Sequence, residues 1–288
     1  MKVLFVSPEV SPIVRTGGLG DVVGSLPIAL QAMGIDVRIL CPLHRQCKDM
    51  GVRFFRKKLG LELGAQTIPL RIGQTTLGKF DIPVYLVEND ALFDRPGIYA
   101  DEEGDYTDNS TRACVLSKSA VLLEKATGWT PDVFHAHDWM AAPTAAYLNQ
   151  LSFGKKVRKI GKSVLTIHNL EHQGVFSQRD FFLSGLPPEY SGIDGFGHQG
   201  SMNLRTCSHT GSADPTIHRA AKLPQRISPI PAVRPSNSPD RCEGTGGIGG
   251  NIERTLFDEA TADAGFDKRL LLAAPTHIQA IEILRLLL

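Results

Sequence analysis

The sequence predicts a doubly wound, mainly parallel α/β sheet followed by an irregular tail, and three observations predict it. Apolar runs of strand length alternate with helix-period segments over residues 1–204. Each run stops at a Gly, a Pro or a polar cluster instead of continuing at helical spacing. Between residues 206 and 250 no Phe, Trp or Tyr occurs, while Pro and Gly accumulate.

Lys2–Val6 (KVLFV) is β-branched and aromatic, as a strand buried on both faces requires. From Asp21 to Met33, residues Val22, Val23, Leu26, Ala29, Leu30 and Met33 fall at helical spacing, and Gly34 stands where a left-handed C-cap belongs. Pro27 is expected to remove one hydrogen bond from that helix and to kink it. Asp36–Leu40 supplies a second strand that Pro42 is expected to stop, completing one βαβ unit. Val52–Phe55, Thr67–Ile72 and Val84–Val87 read as an inserted hairpin region. A helix is expected over Tyr106–Ala126, capped by Asp108 or Asn109, with Ala113, Leu116, Ala120 and Leu123 along one face. Asp132–Ala136 is a further strand, Trp139–Gln150 a helix, and Ser163–Ile167 another strand.

The 288 residues, 42% hydrophobic, suffice for a sizeable core. With 31 Lys and Arg against 30 Asp and Glu, the net charge of +1 provides no field for nucleic acid or an anionic membrane. No apolar run approaches the ~20 residues of a membrane span, and no leader follows Lys2, so the expected location is cytoplasmic. Cys41, Cys47, Cys114, Cys207 and Cys242 form no CxxC pair and signal neither disulfides nor zinc.

Three segments carry chemistry. Arg15-Thr-Gly-Gly-Leu-Gly-Asp21 is a glycine-rich loop entering a helix, where free N–H groups and the dipole favour a phosphate; a tight turn needing positive φ is the alternative. Gly18-x-Gly20-x-x-x-Gly24 superficially matches a dinucleotide fingerprint. About ten residues separate it from Val6, however, so a nicotinamide site is disfavoured. His135-Ala-His137-Asp138-Trp139 and Thr166-Ile-His168-Asn169 each close a strand, at the carboxyl ends where open α/β sheets bind ligands. Spacing gives the histidines no carboxylate partners for a metal, so hydrogen bonding to a polyhydroxyl substrate is the reading preferred to metal ligation. His44 and His172 are read as ordinary core or surface residues. Glu9 and Asp21 share the first loop; a glycosidase-like acid and base pair is weighed against solvated loop carboxylates.

Taken together, Lys2–Val23 (KVLFVSPEVSPIVRTGGLGDVV), Asp94-Arg-Pro-Gly-Ile-Tyr99, Tyr106-Thr-Asp-Asn109, His135–Trp139, Thr166–Leu170, Gln173–Phe176 and Gly185–Tyr190 resemble, in order and interval, the bacterial glycogen synthase and plant starch synthase family. The resemblance covers about residues 1–204. It implies the N-terminal, Rossmann-like half of a GT-B glycosyltransferase that moves glucose from ADP-glucose to the nonreducing 4-hydroxyl of an α-1,4-glucan with retention, without cofactor or metal. By the same resemblance His168 and Asp138 are catalytic-centre residues, His168 holding the transferred glucose and Asp138 orienting hydroxyls. Arg15, in place of the family's lysine, would bind the nucleotide sugar with Gly17, Gly18, Gly20 and Asp21. Glu9, Asp94, Tyr99, Asn109, His137, Asn169 and Gln173 are its acceptor-side candidates.

The expected organisation is a catalytic domain over 1–204, an irregular Pro/Gly-rich segment over 205–250 and a candidate helical tail over 251–288. Of the chain's 18 prolines and 28 glycines, six of each lie between residues 206 and 250, too many for a packed unit. The loss of family motifs after Leu204 reads as a truncated or frame-shifted chain with little activity alone. A noncatalytic glucan-binding module and a nonfunctional fragment are the competing readings.

Overall fold

A computed structural model describes residues 1–152, 161–169, 171–192, 195–198 and 200–204. The readings of an irregular segment at 205–250 and a helical tail at 251–288 lie outside the described residues.

The chain opens with β1 (Lys2–Val6), α1 (Gly18–Ala32) and β2 (Asp36–Pro42), then β3 (Arg53–Phe54), β4 (Leu59–Leu63), β5 (Gln66–Thr76) and β6 (Pro83–Glu88). After α2 (Asp90–Phe93) and the small ladder of β7 (Ala100–Asp101) and β8 (Gly104–Asp105) come α3 (Asn109–Thr127), β9 (Val133–His137), α4 (Asp138–Ala141), α5 (Thr144–Ser152) and β10 (Lys162–Thr166). The last described elements are β11 (Val175–Ser177), α6 (Gln178–Leu183), β12 (Gly197–His198) and β13 (Ser201–Asn203).

Strand order in the main sheet is β10-β9-β1-β2-β6-β5-β3, and β10 through β6 are mutually parallel. The expected doubly wound sheet is thus present. Val3, Phe5, Ile39, Val84 and Val133 pack with Leu19, Val23 and Leu30 of α1 on one face. Leu4, Val6, Leu40, Phe134 and Ala136 pack with Ala113, Leu116 and Ala120 of α3 and with Met140 on the other. Successive residues of a strand point to opposite faces, so a strand covered on both sides is apolar on both, as β1 is from Val3 to Val6 and β2 from Ile39 to Cys41. The order of the parallel strands reverses between β1 and β9, and their carboxyl ends there form the crevice in which this topology binds ligands.

The structure refines the local expectations. Val84–Val87 is the second arm of the hairpin with β5 and something more: β6 also lies parallel to β2, with Ile39 opposite Val84, and is buried like the other central strands. The β3 to β5 segment is the antiparallel extension. In it β4 alternates buried Leu59, Leu61 and Leu63 with exposed Gly60 and Glu62, a period-two signal that Gly60 obscures in the sequence. The single helix expected at Trp139–Gln150 divides into α4 and α5 at Pro143, which has no N–H to give the preceding turn. Pro42 closes β2 as its last residue, and α1 begins at Gly18 and continues through Pro27 as one helix.

Candidate functional site

The site is built from the loop that follows β1. Ser7 N–H bonds Leu40 O, Val10 and Val14 exchange backbone bonds at 2.9 Å, and Ser11 N–H donates to Gly20 O at 2.9 Å. The chain therefore folds back on itself before α1 starts. Gly20 and Gly24 allow this closure: an added Cβ would lie 2.7 Å from Arg15 Cβ at Gly20 and 2.3 Å from Ser11 O at Gly24. Gly17 and Gly18 have nothing within 4 Å of such a Cβ, so their backbone is open to an approaching group.

Glu9 sits beneath the loop, 3% exposed. Its Oε2 accepts from Thr16 N at 2.6 Å and Gly17 N at 3.2 Å, and its Oε1 from Thr16 Oγ1 at 2.9 Å and the Tyr99 hydroxyl at 2.6 Å. A carboxylate so occupied is a clamp on the glycine loop; the acid and base reading weighed for it finds no free oxygen. Asn109 in turn donates to Tyr99 O at 2.8 Å and accepts from the buried Arg112, so it supports Tyr99 from below. At the loop's outer rim Arg15 pairs with Asp21 at 2.5 Å, both largely exposed. That pair is weak, and the diphosphate of a nucleotide sugar would compete for the guanidinium.

The neighbouring strand end contributes Asp138, whose φ of 56° is the one positive value at a non-glycine among the described residues. That left-handed turn aims the carboxyl at the end of β10, where Oδ1 accepts from His168 N at 2.6 Å and the group also takes the Asn169 N–H. Burial raises the Asp138 carboxyl to about 6 against these two bonds, which lower it. Burial depresses the neighbouring imidazoles, His135 to about 3 and His168 to about 4, with His137 well below its ordinary value. All three are neutral near pH 7. His168 stands between His137, 2.9 Å from its Nε2, and the open side of the crevice. The glycine loop and the two strand ends form one locale, since the charge of Glu9 acts on both Asp138 and His168. Trp139 floors it, with its ring 6.1 Å from Tyr99 and 5.8 Å from Phe176.

Ten residues singled out in the sequence thus converge here: Glu9, Arg15, Gly17, Gly18, Gly20, Asp21, Tyr99, His137, Asp138 and His168. The side chains of the other four are engaged elsewhere, although the Asn169 backbone N–H reaches Asp138. Asp94 is held by Arg45 at 2.7 Å and Lys48 at 2.6 Å, Asn109 supports Tyr99, Asn169 Oδ1 accepts from Glu171 N, and Gln173 pairs with Asn203. Sequence reasoning missed Thr16, which binds Glu9 twice, and Thr166, whose hydroxyl meets His135 at 2.7 Å. Alternation along β10 would have put Thr166 beside the β9 histidines. Among the described residues no group of three His, Cys, Asp or Glu side chains is placed to hold a metal ion.

The family described as starch synthase catalytic domain matches residues 2–213. Glycogen synthase 2 of Geobacter sulfurreducens is 38% identical over 206 residues, 71% of this chain and 42% of that protein. A glycogen synthase of Geotalea uraniireducens is 32% identical over 287 residues, 96% of this chain and 57% of that one, so this likeness reaches well past Leu204, where the motif resemblance ends. The catalytic domain of starch synthase IV from Arabidopsis thaliana, bound to ADP and acarbose, superposes with a TM-score of 0.62 at 25% identity, covering 72% of this chain and 43% of that structure. The chain spans about half the length of the curated relatives it matches.

Proposed function

The chain belongs to the starch synthase catalytic domain family, and from that premise we propose that its sheet-edge site serves the transfer of glucose from ADP-glucose to the nonreducing 4-hydroxyl of an α-1,4-glucan, with retention at C1. The observation that carries the reading is the Glu9 clamp. It fixes an open Gly17–Gly18 backbone at the start of α1, beside Asp138 and His168 at the strand-order reversal.

Breaking the bond between C1 and the diphosphate leaves negative charge on the departing oxygen and a cation-like sugar. Arg15, released from Asp21, and the first-turn N–H groups of α1 meet the first of these demands. His168 contacts the sugar from the opposite strand end, and Asp138 holds His168 through its backbone N–H. Asp138 is thereby a positioning residue first, with its remaining oxygen capacity available to a hydroxyl. Tyr99 and Trp139, their rings tilted at 43° to each other, offer aromatic surface for a glucan ring. A cytoplasmic setting agrees with Cys41, Cys47 and Cys114, which are free thiols.

Labelled ADP-glucose incubated with glycogen tests the reading: label in the precipitated polymer that falls with His168→Ala supports it. Maltoheptaose binding with no transfer from ADP-glucose would select the noncatalytic glucan-binding reading instead.

A further inference from the structure

We infer that His137 is a positioning residue that donates its Nδ1–H to His168 Nε2 and so fixes the His168 proton on Nδ1, making His168 a hydrogen-bond donor to an oxygen of the bound sugar and denying it the role of a base. The donor's partner rests on the glucosyl-transfer reading; the proton arrangement does not.

Side chains alternate along β9, so His135 and His137 project from the same face of the sheet as Phe5 in β1, which is in register with His135. His137 is fully buried, its ring 5.0 Å from Phe5 at 22° and 4.2 Å from His135. Against His168 the geometry differs. The Nδ1 to Nε2 distance is 2.9 Å, the ring centroids are 5.2 Å apart and the planes meet at 18°. That centroid separation is one hydrogen bond plus the two ring radii, so the imidazoles lie edge to edge in a shared plane.

One proton occupies that bond, and two arrangements of it exist for neutral rings. If His168 Nε2–H donates, His137 must carry its own proton on Nε2. That nitrogen is buried, and among the described residues nothing accepts from it. If His137 Nδ1–H donates, the buried Nε2 is only a bare lone pair. Buried N–H groups without an acceptor are rarer than acceptors without a donor, because the donor forfeits a full bond to water. The second arrangement is therefore the one the fold selects. His135 obeys the same rule: its Nε2 meets Thr166 Oγ1 at 2.7 Å and its Nδ1 is the buried orphan, so Nε2–H donates and the lone pair is left bare. His168 consequently has its Nε2 lone pair consumed by His137 and its proton on Nδ1. No described residue bonds that atom, and it is not among the buried unpartnered ones, so it stands open to a ligand.

The test is a long-range proton–nitrogen correlation spectrum of the full chain labelled with nitrogen isotope in histidine, near neutral pH, with His168 assigned by its loss in His168→Gln. A protonated Nδ1 and a pyridine-like Nε2 at His168 are expected; a proton on Nε2 overturns the inference, and this readout needs no variant of His137. In His137→Asn, whose amide N–H takes the place of Nδ1–H, the His168 tautomer should persist. In His137→Phe it should shift toward Nε2–H, and affinity for ADP-glucose or maltoheptaose should fall about tenfold while the Asn variant retains it. An unaltered His168 tautomer in a folded His137→Phe protein would refute the positioning role. A wild-type chain with the expected tautomer but no affinity for either ligand would defeat the glucosyl-transfer reading and leave the proton arrangement standing.

Discussion

The Tyr99 hydroxyl donates to Glu9 Oε1 at 2.6 Å across 90 positions of sequence, and this bond ties the segment before α3 to the glycine loop after β1. Burial and the Glu9 charge push the Tyr99 phenol well up, so it remains a donor at every physiological pH. Glu9 therefore joins three pieces of chain through one carboxylate.

Glu9→Gln should be tolerated better than Glu9→Ala. The amide oxygen can keep the Thr16 and Gly17 N–H groups, while the amide nitrogen turns to the Thr16 and Tyr99 hydroxyls, which can rotate to accept. A loss of about 1–2 kcal/mol in urea unfolding is expected for Gln. For Ala, which strands all four donors, the loss should be about 3 kcal/mol or more. Equal losses for the two variants would show that the carboxylate is not the clamp.

Gly18 and Gly20 should separate binding from folding. An alanine at Gly20 lands 2.7 Å from Arg15 Cβ and 3.3 Å from Glu9 Oε2, and it should cost about 1–3 kcal/mol in stability. Gly18→Ala meets open space in a helical residue and should leave the melting temperature unchanged or raised. If the diphosphate approaches this backbone, Gly18→Ala will nevertheless weaken ADP-glucose binding, measured by calorimetry; full affinity would place the diphosphate elsewhere.

The parallel sheet was legible because β1 and β2 carry apolar runs, Val3–Val6 and Ile39–Cys41, that double-sided burial explains, and because short strand-like segments at β9 and β10 alternate with helices. The carboxyl-end rule then located Asp138 and His168 without any tertiary information. What stayed hidden was pairing at long range. No local pattern says that Val84–Val87 lies beside Ile39–Pro42, that Glu9 is spent on Thr16, Gly17 and Tyr99, or that the Asp138 side chain turns to a backbone N–H of the next strand. Asp94 shows the converse: a motif residue by sequence, it is committed to Arg45 and Lys48 in the fold.

Asp138→Asn should stabilise the protein above pH 6. Because the folded carboxyl titrates near 6, above its ordinary 3.8, the fold holds that proton more tightly than the unfolded chain does. Its contribution is complete below about pH 4 and lost as pH rises through 6. Asparagine is neutral throughout, keeps an oxygen for His168 N, and suits the left-handed backbone better than most residues. The gain at pH 8 is at most about 3 kcal/mol and vanishes near pH 4. A destabilised Asn variant at pH 8 would mean that the ionised carboxylate is the form the fold prefers.

The histidines act in the opposite direction and dominate acid unfolding. Burial holds His44 at about 4, His135 at about 3, His168 at about 4 and His137 well below its ordinary value, whereas each titrates near 6.5 once unfolded. The stability these neutral rings contribute is present above pH 6.5 and is lost as pH falls toward their folded values. Around pH 5 the unfolded chain holds about four protons there that the fold refuses, while Asp138 holds about one in the fold that the unfolded chain lacks. That net difference of about three protons makes stability fall by about 4 kcal/mol per pH unit there. Since whole domains are stable by only about 5–15 kcal/mol, this slope should unfold the protein between about pH 4 and 5. The paired carboxylates Asp36 and Asp94, held below their usual range, matter only at lower pH. Urea unfolding at closely spaced pH values measures the slope directly, and His135→Phe should flatten it by about one proton. A dependence of less than one proton across this range would show that the β9 and β10 histidines are solvated, and with that the ordered donor geometry at His168 would fall.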